Sequence, residues 1–244
     1  MASIELSSWL LSAAILLVGC CIQTAMGFGM AVLAAPIIML IEPAWVPYIL
    51  TSTALFLSVI NAWHQRKHIQ ISLIAPAMIT RIPGTIIGVW VLLAVSIMWL
   101  HIIVAIAVLV AVVVSLINVR FEATRSRLSW AGFASGFMGT TTSIGGPPLA
   151  LVMQYGSPDS VRGNLGLYFA YSCILSLLSY WGSGLLSQDI LVLCLSFSPV
   201  AIIGFVLGLR MQRWVDKARF RPFLLSLCSV AAIVALIGVA MKWL

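Results

Sequence analysis

The chain has 244 residues, of which 62% are hydrophobic and only 8% charged, with a formal net charge of +7. A soluble domain carries roughly 25% charged residues, so lipid is the solvent for most of this surface. The basic excess does not indicate nucleic acid, because it sits in short clusters at the ends of apolar runs, where cytoplasmic loops carry it. Apolar runs over 9–26, 46–63, 98–117, 165–182 and 223–241 each approach the ~20 residues that cross a ~30 Å hydrocarbon core. The chain reads as an all-α polytopic membrane protein.

In chain order, the first predicted segment covers 8–41. Cys20 ends "LLVGC", which has the form of a lipoprotein cleavage site, but "MASIELSSW" holds Glu5 and no Lys or Arg. Without a positive n-region, the segment is expected to stay in the mature protein. At roughly 34 residues it is too long for one crossing at ~1.5 Å per residue. Its centre is "MGFGMAVLAAP" (26–36), preceded by Gln23 and Thr24.

Segment 46–63 leads to the loop "HQRKHI" (64–69), with Arg66 and Lys67 flanked by His64 and His68, which read as solvated. Segment 70–95 contains "PAMITRIPGTIIG" and places Arg81 eleven residues inside. A mid-span arginine costs ~2.5–3.5 kcal/mol on insertion scales and marks a pathway or a partner. No carboxylate lies in any predicted span interior. The favoured reading of Arg81 is anion binding; bonding to backbone carbonyls and snorkelling are the structural alternatives.

Segment 98–118 carries His101 near its end, where an interfacial role is expected. The linker 119–128 has Arg120, Arg125 and Arg127. Segment 128–153 contains "MGTTTSIGGPP" (138–148), segment 162–183 opens with Arg162 and Asn164, and segment 188–210 leads to "RMQRWVDKARFR" (210–221), with five basic residues. The last segment is 221–243. Cys20, Cys21, Cys173, Cys194 and Cys228 all fall inside spans, which argues against disulfides and paired-cysteine metal motifs. The six acidic residues lie at loops or span ends, so no carboxylate relay is visible.

The two glycine-rich stretches share Met-Gly, eight residues, then Pro, at an offset of 112 residues; "PGTIIG" (83–88) and "PVAIIG" (199–204) share P-x-x-I-I-G at 116. These matches divide the chain into two four-segment repeats, 1–120 and 127–244. The positive-inside rule wants all three basic clusters in the cytoplasm, yet three segments separate the linker from loop 210–221. The conflict disappears if 128–153, and equivalently 8–41, dips in and returns. The halves then have inverted topology and both termini lie outside.

Irregular backbone at membrane depth survives where protein or water satisfies it, and inverted-repeat transporters aim such backbone at anions. Gly27, Gly29, Gly145 and Gly146 are expected to allow close approach and positive φ. Thr140, Thr141, Thr142 and Ser143 are expected to supply hydroxyl donors, and Pro36, Pro147 and Pro148 to stop helices running through.

On "GCCIQTAMGFGMAVLAAP" (19–36), "GFASGFMGTTTSIGGPPL" (132–149) and the paired "PxxIIG" stretches, the sequence resembles the TauE/SafE family of sulfite exporters. It differs from that family's run of consecutive glycines by having "TTTSIGG". The resemblance implies a secondary transporter in the bacterial inner membrane. Its cargo would be a small sulfur-containing anion, sulfite or an organosulfonate such as sulfoacetate, exported by alternating access. Alternatives are an anion channel, a carrier of carboxylate, sulfate or thiosulfate, and a non-transporting assembly subunit. No triad, His/Cys cluster or carboxylate pair converges to suggest an enzyme. The expected substrate site comprises Gln23, Thr24, Gly27, Gly29, Arg81, Thr140, Thr141, Thr142, Ser143, Gly145, Gly146 and Asn164. No cofactor, metal or nucleic acid is called for; the partners are the anion and the lipid bilayer, with a homodimer left open.

Overall fold

The computed structural model describes residues 5–116, 122–212, 229, 230 and 233. The predicted last segment, 221–243, lies almost wholly outside these residues, as do Arg120, Asp216, Cys228 and most of loop 210–221. The described chain is helical throughout: α1 Leu6–Met26, α2 Met30–Ile41, α3 Tyr48–His64, α4 Ile71–Ala94, α5 Ile97–Leu116, α6 Arg125–Thr142, α7 Gly146–Met153, α8 Pro158–Gly182, α9 Gln188–Ser196 and α10 Ser198–Met211. Four stretches are long and apolar enough to cross a membrane: Leu6–Met26, Ile71–Ala94, Pro158–Gly182 and Gln188–Met211. Trp63, Trp90, Trp130 and Trp181 each stand more than two-thirds exposed on the outer surface, as aromatic side chains do at the two membrane interfaces. The protein is an integral membrane protein.

The ends of the helices follow local chemistry. Thr124 caps α6 by accepting a bond from the Arg127 amide, and Ser187 caps α9 through the Ile190 amide. Pro147, Pro158 and Pro199 fall in first turns, where a missing N–H costs nothing. Pro36 differs from expectation. It lies inside α2 rather than ending it, and the turn is made upstream by glycine.

α1 ends at Gly27 (φ 91°), whose amide donates to Gln23 O, and α2 starts from Gly29 (φ 120°). α6 ends at Ser143 (φ 62°), whose amide donates to Gly139 O, and α7 starts from Gly145. Corresponding caps are 116 residues apart, the offset of the P-x-x-I-I-G pair. The 112-residue register of the Met-Gly…Pro match is therefore shifted by about one helical turn. Gly145, with φ −88°, and Gly146, the first residue of α7, do not take the positive φ expected of them. Ser143 takes that conformation, while Gly145 is needed for space: a Cβ there would lie 2.8 Å from Ser135 O and 3.0 Å from Gly139 Cα.

Helix pairs pack reciprocally: α4 lies on α6, α1 on α10, and α3 on α8. Small residues permit this closeness. A Cβ on Gly88 would meet Phe137 O and Thr140, and a Cβ on Gly208 would meet Cys21 O and Thr24. The main apolar core joins α1, α2, α3 and α5 to Phe197 and its neighbours, and a second cluster joins α4, α6, α7 and α8.

The basic loop 64–69 and the residues leading into α6 lie at one end of the bundle, beside the start of α8. The Gln70 amide donates to Asn164 Oδ1 at 2.7 Å, and Glu122, Ala123, Tyr155 and Gly156 line one common cavity. At the other end, Trp9 stacks on Phe197 at 5.2 Å, and Trp45 meets the same ring edge-on.

Candidate functional site

The connections 27–29 and 143–145 meet in the interior. A Cβ on Gly146 would stand 3.5 Å from Phe28 Cβ. Both connections open onto one cavity of about 50 Å³; a water needs about 10–15 Å³ of such space, so the cavity has room for a few waters or one small ion. Gly29 and Gly145, the residues from which α2 and α7 start, both line it. The first amides of α2 have no intrahelical acceptor and carry its positive dipole end, whereas in α7 Pro147 and Pro148 have no N–H, so of its first three residues only Gly146 has an amide to donate.

Arg81 reaches this cavity from the middle of α4. It is 2% exposed, which excludes snorkelling to an interface. Nη1 donates to Ser135 O at 2.7 Å and Ser135 Oγ at 3.0 Å, while Nη2 donates to Ser176 Oγ at 3.2 Å and Ser172 O at 3.4 Å. Its Cζ stands 5.8 Å from the Tyr168 ring centroid. Nε is buried and has no acceptor, and the buried Ser172 hydroxyl is likewise unpartnered. Among the described residues no carboxylate lines the cavity. Arg162 is paired with Asp159, 3.2 Å away, and neither lines the cavity. A buried cation without a counter-ion is costly, and an anion in the cavity would offset that cost.

Of the sequence-predicted residues, Gln23, Gly29, Arg81, Ser143, Gly145 and Gly146 line this cavity. The others lie elsewhere. Thr24 faces Gly208 on α10, and Gly27 faces Arg162 and Leu165. Thr140 Oγ1 stands 3.0 Å from Ser176 Oγ, one step behind Arg81. Thr141 and Thr142 donate back to Phe137 O and Met138 O of their own helix, the nearest acceptors for buried hydroxyls. Asn164 joins α8 to the start of α4 and donates to Ser160.

Sequence reasoning missed Phe28, Thr51, Phe169, Ser172 and Ser176, all of which line the cavity, and Ser135, which grips Arg81. A signal was present. Ser172 and Ser176 are four apart on α8 and so share one helix face. His101 lies in α5. Cys20, Cys21, Cys173 and Cys194 are buried free thiols.

A family model described as "Sulfite exporter TauE/SafE" matches residues 11–235. No curated protein and no solved structure gives a significant match.

Proposed function

Because the chain belongs to the TauE/SafE sulfite exporter family, we propose that it is a secondary transporter of a small sulfur oxyanion, with sulfite as the leading candidate. The observation that carries this reading is the cavity where Arg81 and the starts of α2 and α7 converge without a carboxylate. The Arg81 Nε–H and the Ser172 hydroxyl are the buried donors left for a ligand there. A cavity of about 50 Å³ suits one sulfur with three oxygens better than an organosulfonate with a carbon chain. Export by alternating access, rather than uptake or channel flow, is the working assumption.

The same reading takes residues 1–120 and 127–244 as inverted-topology halves, with α1–α2 and α6–α7 as dip-and-return pairs and both termini outside. Caps 116 residues apart and the reciprocal packing of α1 on α10 and α4 on α6 support it. So does the shared cavity at 122–123 and 155–156, which brings the start of α6 and the end of α7 to one end. Single cysteines at positions 66 and 125 should label from the cytoplasm and one at 187 from outside; 66 and 125 on opposite faces would end the inverted arrangement.

The function itself is tested by thermal unfolding of the purified protein with sulfite, sulfonates, sulfate, thiosulfate and carboxylates. Sulfite should protect, in proportion to occupancy. In proteoliposomes a carrier gives saturable, trans-stimulated sulfite flux, whereas unsaturable conductance would identify a channel. Protection by none of these anions, with no flux, would remove the transport reading.

A further inference from the structure

The central cavity is closed very differently toward its two ends. Toward the end holding Pro47 and Tyr48, Ser143 Oγ donates to Pro47 O at 2.9 Å. Its hydrogen is thereby used, so Thr51 Oγ1, 2.8 Å away, donates to Ser143. Tyr180 donates to Thr140 O and meets Tyr48 edge-on at 5.3 Å. Three helices are tied together by these bonds. Rupturing this layer exposes several buried polar groups at once.

Toward the basic end lies a second cavity of about 200 Å³, bounded by Gly156, Pro158 and Arg162. Phe28 lines both cavities. It is half-buried and sits between Gly27 and Gly29, whose φ angles of 91° and 120° are open to glycine. A bulky ring is thus mounted between two positive-φ glycines, against Gly146, which offers no side chain to lock it. The floor of the second cavity is better fixed: Arg162 Nε and Nη2 both donate to Ala25 O, at 3.2 and 3.0 Å.

From this contrast we infer that Phe28 is the gate between the central cavity and the wider basic-end vestibule, and that the conformation seen is the one sealed at the opposite end. The inference rests on reading the central cavity as the transport site. Opening toward the vestibule requires only that one ring swing aside. Opening the other way requires the Ser143, Thr51 and Tyr180 bonds to break together, which is the slower and rarer event.

Cys173 lines the central cavity but not the vestibule and is a native reporter. The test treats inverted and right-side-out membrane vesicles with a small anionic methanethiosulfonate and reads Cys173 peptide by peptide by mass spectrometry. Wild type should react slowly from the basic end and more slowly still from the other. Phe28→Ala should raise the basic-end rate about tenfold, equivalent to ~1.4 kcal/mol of lost closure, and Phe28→Trp should lower it. Phe28→Leu, closer in volume, should give an intermediate rise and covers the case in which the alanine variant does not fold. Unchanged Cys173 rates in folded Phe28 variants, or faster wild-type labelling from the opposite face, would overturn the gate. The readout needs no substrate: loss of sulfite protection in the binding experiment would leave the gate standing. Unchanged labelling alongside intact sulfite protection would remove the gate alone.

Discussion

At 27–29 the chain turns on two glycines with positive φ and carries an exposed-edged phenylalanine between them. At 143–145 it turns on a left-handed serine whose hydroxyl is bonded to Pro47 and Thr51. Both connections bring a helix start to the same cavity. Their chemistry differs: the first is shaped by glycine φ angles, and the second is held by side-chain hydrogen bonds. A non-glycine residue pays strain of ~1–2 kcal/mol in the left-handed region, and Ser143 offsets it through bonds a glycine has no side chain to make. Similar glycine-rich sequences can therefore make a turn by different chemistry.

The sharpest way to break this comparison is at the glycine that starts α7. Gly145→Val places a Cβ 2.8 Å from a backbone carbonyl oxygen, and overpacking of this kind costs ~1–3 kcal/mol or more. Folded protein recovered from detergent by size-exclusion chromatography should fall steeply. Recovery equal to wild type would mean that α6 and α7 are not as close as Ser135 and Gly145 indicate.

Next in size is Ser143. Ser143→Ala keeps the strained φ and orphans the bonds to Pro47 and Thr51, for a loss of ~2 kcal/mol within the usual range for an unsatisfied buried group. Ser143→Gly loses the same bonds but relieves the strain, so it should unfold at a higher temperature than Ser143→Ala by the equivalent of ~1 kcal/mol. If the two variants melt together, the left-handed conformation is not what separates the connections.

Arg81 asks whether the two helix starts hold the anion alone. Arg81→Gln should weaken sulfite affinity by at least ~1.5 kcal/mol, the low end for a charge-assisted bond. Arg81→Lys should restore only part of it, because an ammonium lacks the planar fork. A lower melting temperature with undiminished sulfite protection would assign Arg81 to structure, through Ser135 and Ser172, and leave the helix starts as the site.

The smallest effect belongs to Gly27, where a Cβ has room, its nearest neighbour being 3.4 Å away. Gly27→Ala should cost ~1–2 kcal/mol from φ alone, and Gly27→Asn less, since asparagine tolerates that region. Equal losses from both would point to crowding by Leu165 or Arg162 instead.

Much of this arrangement was legible from residue order. Glycines flanking Phe28 mark a turn because few other residues accept such φ values, and Arg81 stands out because charge is scarce in an apolar span. The threonines were harder to read. A hydroxyl in "TTTS" either serves a ligand or bonds the carbonyl one turn back, and only the helix bounds show that Thr141 and Thr142 do the latter. The Met-Gly…Pro match, at 112 residues, does not coincide with the caps, which are 116 apart, because an identity of composition near a turn does not say which residue takes the cap.

The sequence by itself determined the membrane setting, the family, the two interruptions and the lone intramembrane arginine. These depend on composition, periodicity and backbone permission, all of which are local. Tertiary structure decided that Arg81 meets α6 and α8 through Ser135, Ser172 and Ser176, that both helix starts share one cavity, and that Phe28 lines both this cavity and the next while Ser143, Thr51 and Tyr180 are hydrogen-bonded to neighbouring helices. Those hydrogen bonds join residues up to 96 positions apart. Which partner satisfies a buried donor is settled by how the helices pack, and helix periodicity carries no record of that.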